Sequence, residues 1–84
     1  MTDTDCNLDQ LPPGSLASIQ GLSVDADLRA RLTALGLAAG KQVRVLRRAG
    51  LSGPLHVRAG TTEIILRRSE ASKIQVLLPQ ALAA

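Results

Sequence analysis

The sequence has no Phe, Tyr or Trp, and it has one cysteine and one histidine among 84 residues. Without aromatic residues the core must be packed from Leu, Ile, Val and Ala, and the rings on which nucleic-acid binders stack bases are missing. Because Cys6 is the only cysteine, an internal disulfide and a thiolate metal cluster are excluded within one chain. The low cysteine content favours a reducing compartment.

Targeting and membrane-spanning signals are also missing. The N-terminal region has no basic segment followed by an apolar run, and no apolar stretch is long enough to span a bilayer. We therefore expect a cytoplasmic protein that does not itself span the membrane. A chain of 84 residues suffices for one domain but leaves little room for a large catalytic cleft.

Charge is distributed unevenly along the chain. All five charged residues in the first 27 positions are aspartates, whereas residues 28–84 carry ten Lys and Arg against two glutamates, a net charge of +8. A domain with this net positive charge attracts phosphate, anionic headgroups or an acidic protein surface. An equally good interpretation of the charge is a solvated surface that keeps a small protein in solution.

Three regions are expected along the chain. Residues 1–10 are polar and acidic, and we expect them to form a poorly ordered lead-in. Residues 11–78 hold the apolar periodicity and are expected to form the folded domain, and residues 79–84 are expected to form a flexible tail.

A helix followed directly by a strand is the clearest local pattern. Leu28, Leu32 and Leu35 recur at steps of four and three, which predicts one core-facing helical face. Gly36 suits the left-handed position just past a helix end, and Gly40 suits the turn into a strand with period-two alternation. We predict that these five residues are structural.

The remaining pattern predicts a mainly β fold. Five short strands are expected, with the helix between the first and second, and Gly60-Thr61 fits a two-residue type II′ hairpin turn. Strands joined by tight turns close most economically as a small antiparallel barrel, which also protects the strand edges.

Catalytic and metal-binding patterns are weak. His56 has no obvious nucleophile or orienting group beside it, and Gly36 to Lys41 lacks the spacing of a phosphate-binding loop, so we expect no enzyme. Glu63 lies diagonal to His56 on the predicted hairpin, or directly opposite if the turn shifts by one residue. Two ligands make at most a weak divalent site, at the surface or shared between two chains, and no cofactor is expected otherwise.

The candidates for partner binding lie where strands end and loops begin. Leu51 is an apolar residue at a predicted loop tip, where it either tucks into the barrel or contacts a partner. Pro54 in the same loop is a further candidate, and four arginines that end two predicted strands could together form a basic rim or remain solvated: Arg47, Arg48, Arg67 and Arg68.

Several ordered segments together resemble the FeoA family of ferrous iron transport proteins. The resemblance runs from about Leu11 to Leu78 and is carried by Leu28 through Leu35-Gly36-Leu37-Ala38-Ala39-Gly40, then Val43-Arg44-Val45, Gly53-Pro54-Leu55, Ile65-Leu66-Arg67-Arg68 and Glu70-Ala71-Ser72-Lys73-Ile74-Gln75-Val76. It implies an SH3-like barrel, a fold also found at the C-terminus of repressors resembling DtxR.

The same resemblance implies a cytosolic accessory protein that binds the G-protein region of the ferrous iron transporter FeoB. It also implies that this transporter recruits the accessory protein to the inner face of the membrane. Weak homo-oligomerisation is compatible with it. Two alternatives stay open from the residues alone: a basic β-barrel that binds nucleic acid, which the missing aromatics disfavour, and a weak metal-binding or metal-sensing module.

Overall fold

The fold, seen in a computed structural model that describes residues 3–50 and 53–79, is one antiparallel sheet with short helices. Within these residues the strands are β1 (Asp3–Asn7), β2 (Leu16–Leu22), β3 (Gln42–Arg48), β4 (Leu55–Ala59), β5 (Thr62–Leu66) and β6 (Ile74–Pro79). The helices are α1 (Ala26–Ala34), α2 (Arg68–Ala71) and a 3-10 helix at Leu8–Gln10.

The sheet has six strands in the order β1-β6-β2-β3-β4-β5. The mainly β prediction is confirmed, and α1 lies between the first two of the five strands predicted from the sequence. The predicted closure into a barrel is not confirmed. The hydrogen-bonded strand order begins at β1 and ends at β5, so within the described residues these two strands are the edges of an open sheet.

The N-terminal segment differs from the expected poorly ordered lead-in. Residues 3–7 form β1, which pairs with β6 from Asp3↔Pro79 to Asn7↔Gln75. The 3-10 helix follows, and its entry is fixed by the Asn7 N–H, which donates to Gln10 Oε1 at 2.7 Å. Leu8 is fully buried, so this segment completes one end of the core. Of the expected tail, residues 80–84 lie outside the described residues.

The core consists entirely of aliphatic side chains, as the missing aromatics require. Alternate positions of the central strands point inward, which is the period-two burial expected for a half-buried sheet. Its fully buried large members are Leu8, Leu11, Ile19, Leu37, Val43, Val45, Leu55, Val57, Leu66, Ile74 and Val76.

Helix α1 begins at a side-chain cap and packs only part of its predicted face. The Leu28 N–H donates to Asp25 Oδ1 at 2.8 Å, which satisfies one of the unpaired donors of the first turn. Leu32 is buried and Leu28 is half-buried against the core, but Leu35 is 41% exposed. The prediction that all three leucines are core residues is therefore wrong for Leu35, which is the C-terminal cap residue of this short helix.

The two glycines after α1 have the conformations that the sequence predicts. Gly36 has φ +99°, its N–H bonds to Thr33 O at 3.0 Å, and the Leu37 N–H bonds to Leu32 O at 2.8 Å. This pair of bonds is the Schellman stop. Gly40, at φ +88°, occupies the third position of a turn closed by the Lys41 N–H on Ala38 O at 3.0 Å.

The β4–β5 hairpin has the predicted two-residue turn. Ala59 pairs with Thr62, Gly60 has φ +63°, and no described residue other than glycine has positive φ, which fits type II′ and excludes type I′. No helix in the described part of the chain is long and apolar enough to cross a membrane.

Candidate partner-binding site

The outer face of the β4–β5 hairpin brings His56 and Glu63 together. His56 pairs with Ile65 and Arg58 with Glu63, so His56 and Glu63 are diagonal neighbours on one face, as predicted. Their Nε2 and Oε1 atoms lie 2.8 Å apart, and both side chains are accessible to solvent. In residues 3–50 and 53–79 no third His, Cys, Asp or Glu joins them to make a metal cluster.

A register shift in β3 separates the roles of two neighbouring arginines. The pairing with β4 is Val45↔Val57 but then Arg47↔His56, so one extra residue is inserted before Arg47. Arg47 consequently shares the outer face with His56 and is exposed. Arg48 pairs with the buried Leu55 and is half-buried.

Arg48 ties the end of β3 to the N-terminal segment. Its Nη2 donates to Asp9 O in the 3-10 helix, a charge-assisted hydrogen bond across the end of the core. Of the two predicted rim residues in β3, Arg48 is thus engaged inside the protein, and Arg47 is the one that presents its charge to solvent.

A groove of about 310 Å³ lies between the end of β3 and the outer face of the hairpin. Four of the residues that line it are candidates from the sequence, namely Arg47, Arg48, Pro54 and His56. The other two are Ala49 and Ile65. The loop behind the groove is closed by the Ala49 N–H on Pro54 O at 3.1 Å. The groove thus combines two arginines with the apolar side chains of Ala49, Pro54 and Ile65.

The other predicted contact residues lie beyond this groove or beyond the described residues. Arg67 and Arg68 follow the last residue of β5 and are exposed at the start of α2. Arg48 pairs with Leu55, and Leu55 pairs with Leu66. Arg67 comes one residue after Leu66, so it lies beyond the paired ends of β3, β4 and β5 that border the groove. Leu51 lies outside the described residues.

Sequence reasoning missed Ile65. It is 71% exposed on the outer face, between Glu63 and Arg67 in the alternation, and it is the most exposed large apolar side chain of the described residues. The signal was available: in the run Thr62-Glu63-Ile64-Ile65-Leu66, an isoleucine occupies an outward position where a half-buried strand usually has a polar residue.

Comparison with known families identifies the chain. The FeoA domain model matches residues 6–78. The chain belongs to the FeoA family. The match begins before Leu11, where the sequence resemblance began, and it includes the end of β1 and the 3-10 helix.

Solved FeoA structures agree with this assignment. The solution structure of FeoA from Chlorobium tepidum is 33% identical with a TM-score of 0.80, over 86% of this chain and 69% of that one. The crystal structure of Stenotrophomonas maltophilia FeoA in complex with zinc is 31% identical with a TM-score of 0.70, over 95% and 98% of the two chains. That protein is described as a prokaryotic SH3 domain protein.

The same fold occurs in a larger protein of another class. A manganese-dependent transcriptional repressor is 20% identical with a TM-score of 0.80, and the match covers 93% of this chain but 44% of the repressor. At this identity the likeness concerns the fold, which is the SH3-like fold expected of FeoA proteins. No curated protein matches the FeoA chain in sequence.

Proposed function

We propose that this FeoA chain is a cytoplasmic, non-enzymatic accessory protein of ferrous iron uptake, which binds the cytosolic G-protein region of a FeoB-like transporter and modulates it. Membership of a family associated with ferrous iron transport supports the biological setting. The observation that carries the proposal is the groove of Arg47, Pro54, His56 and Ile65, an exposed cationic and apolar surface that the fold itself does not need.

The surroundings of His56 argue against catalysis. The only imidazole of the chain is hydrogen-bonded to Glu63 on an open face of the sheet, where water is not excluded. A general base needs a substrate proton within reach and an enclosed site to act efficiently. Any effect on nucleotide hydrolysis would then be exerted through the transporter, which binds the nucleotide.

Binding of the purified transporter domain tests the proposal. The cytosolic domain of the FeoB-like transporter from the same organism, immobilised under reducing conditions with and without guanine nucleotide, should retain the wild-type chain. Arg47→Glu should weaken retention, because it reverses the charge of the groove. Lys73→Glu is the matched control, since it changes the net charge equally at an exposed residue outside the groove. Absence of wild-type binding in both nucleotide states would refute the proposal.

A second candidate function, weak divalent-metal binding, is favoured by one observation. The His56 Nε2 and Glu63 Oε1 atoms are 2.8 Å apart, so a nitrogen and an oxygen ligand are held on one face of the hairpin. The Stenotrophomonas relative was solved with zinc. With two ligands from one chain, such a site would be weak and would take its remaining ligands from water or from a second chain.

A further inference from the structure

The two exposed large apolar side chains of the described residues line the same cleft. Leu35 is 41% exposed at the end of α1, and Ile65 is 71% exposed on β5. Between them lies a cleft of about 170 Å³, with Leu32, Ile64 and Leu66 among its lining residues. The cleft therefore has an exposed apolar residue on each wall, and two charged residues, Arg31 and Glu70, line it as well.

The β5 wall of this cleft is an edge strand with backbone groups available for pairing. Within the described residues β5 pairs with β4 alone. In the two-residue hairpin Ala59 and Thr62 are the hydrogen-bonded pair next to the turn, so hydrogen-bonded pairs alternate from there. The N–H and C=O groups of Glu63 and Ile65 consequently point away from β4, toward the open edge.

Ile65 also connects the cleft to the cationic groove, because it lines both. Arg31 lies in the cleft and Arg47 in the groove. Two glutamates lie nearby: Glu63 Oε1 is 2.8 Å from His56 Nε2, and Glu70 Oε1 accepts the Arg67 N–H at 3.0 Å. Both keep their negative charge, but they are outnumbered by Arg31, Arg47 and Arg48, so the net charge of this region is positive and the partner segment that it fits is acidic.

We propose that an acidic, extended segment of the transporter's cytosolic region binds along β5 as an added strand. One apolar side chain of that segment enters the cleft between Leu35 and Ile65, and its carboxylates contact Arg31 and Arg47. Added strands obtain affinity from main-chain hydrogen bonds and specificity from pockets for alternate side chains, which is the combination found here. This inference rests on the proposed function and adds to it the surface and the mode of binding.

Polar substitutions in the two cleft walls test the surface. Leu35→Gln and Ile65→Gln should each raise the Kd for the purified transporter domain by about tenfold or more, since each removes an apolar anchor. Ala30→Gln is the matched control: it adds the same side chain to the exposed side of α1 opposite Leu28 and Leu32, and it should leave the Kd unchanged. Thermal unfolding followed by circular dichroism verifies that all three variants fold.

Amide hydrogen exchange tests the added strand separately. On binding, the Glu63 and Ile65 amides should exchange more slowly, whereas the Ile64 and Leu66 amides, already bonded to β4, should change little. If Leu35→Gln weakens binding but none of these amides is protected, the segment is not a strand and the binding mode is refuted.

The remaining outcomes separate this inference from the proposed function. Unchanged wild-type affinity in both Leu35→Gln and Ile65→Gln refutes the surface and leaves the function standing. Absence of wild-type binding refutes both. A wild-type chain that sediments as a dimer, and that Leu35→Gln converts to a monomer, identifies a second copy of the chain as the occupant and overturns the proposed partner.

Discussion

His56 Nε2 lies 2.8 Å from Glu63 Oε1, so the single histidine of the chain is paired diagonally across the β4–β5 hairpin. The contact holds two potential metal ligands together on one face of the hairpin. Because both side chains remain accessible to solvent, the pair contributes about 0–1 kcal/mol to stability.

Metal binding at this pair is tested by titration with Zn²⁺. We expect weak binding to the wild-type chain and a loss of affinity of about tenfold or more in His56→Ala, because the imidazole is the stronger of the two ligands. Isothermal titration calorimetry gives the affinity. Asp27→Asn, which removes an exposed carboxylate at the start of α1, should bind Zn²⁺ like the wild type. Equal affinities for wild type and His56→Ala would show that the metal binds elsewhere.

The stop of α1 makes a prediction about stability. Gly36 has φ +99°, and a Cβ there would lie 3.4 Å from the Ala59 Cβ. Gly36→Ala should therefore cost about 1–2 kcal/mol for the left-handed backbone, and Gly36→Val should cost more because its branched side chain crowds Ala59. Urea denaturation followed by far-UV circular dichroism measures the loss, since the chain has no aromatic fluorophore.

Gly40 provides the control for that series. It has φ +88°, but nothing lies within 4 Å of a Cβ built on it. Gly40→Ala should cost about as much as Gly36→Ala, whereas Gly36→Val should be clearly worse than Gly40→Val. A Gly36→Val variant as stable as the wild type would contradict the structural role assigned to Gly36.

Much of the fold follows from local sequence. The helix between the first two predicted strands agrees with the structure, and so do the stop of α1 at Gly36 and the turn at Gly60-Thr61. Each of these features is fixed within a few residues by alternation or by a glycine that tolerates positive φ. The diagonal contact of His56 with Glu63 follows from the same turn, because the turn sets the register of the hairpin.

Features that depend on contacts between distant segments could not be predicted. The β1 sequence, Asp3-Thr4-Asp5-Cys6-Asn7, is polar and becomes a strand by pairing with β6 at the other end of the chain. The extra residue in β3 before Arg47 has no glycine to mark it. The exposure of Leu35 depends on where α1 lies against β5, which no local pattern specifies.

Replacing Arg48 should lower the stability of the domain, whereas replacing Arg47 should weaken its binding to the transporter. Arg48→Ala removes the charge-assisted hydrogen bond to Asp9 O and should cost about 1.5 kcal/mol, together with faster amide exchange in the 3-10 helix. Arg47→Ala removes the same charge from an exposed neighbour and should leave the free energy of unfolding nearly unchanged while weakening the transporter complex. Equal stability of the two variants would show that the Arg48 bond contributes nothing.

The burial of Leu8 predicts that the N-terminal segment is part of the folded domain. Leu8 is fully buried in the core, so Leu8→Ala should cost about 2–5 kcal/mol, a large part of the stability of a domain of this size. Thr33→Ala, at an exposed position of α1, is a control that should change stability by less than about 0.5 kcal/mol. If residues 1–10 were a disordered lead-in, Leu8→Ala would be as harmless as the control, and urea denaturation of the two variants decides between these outcomes.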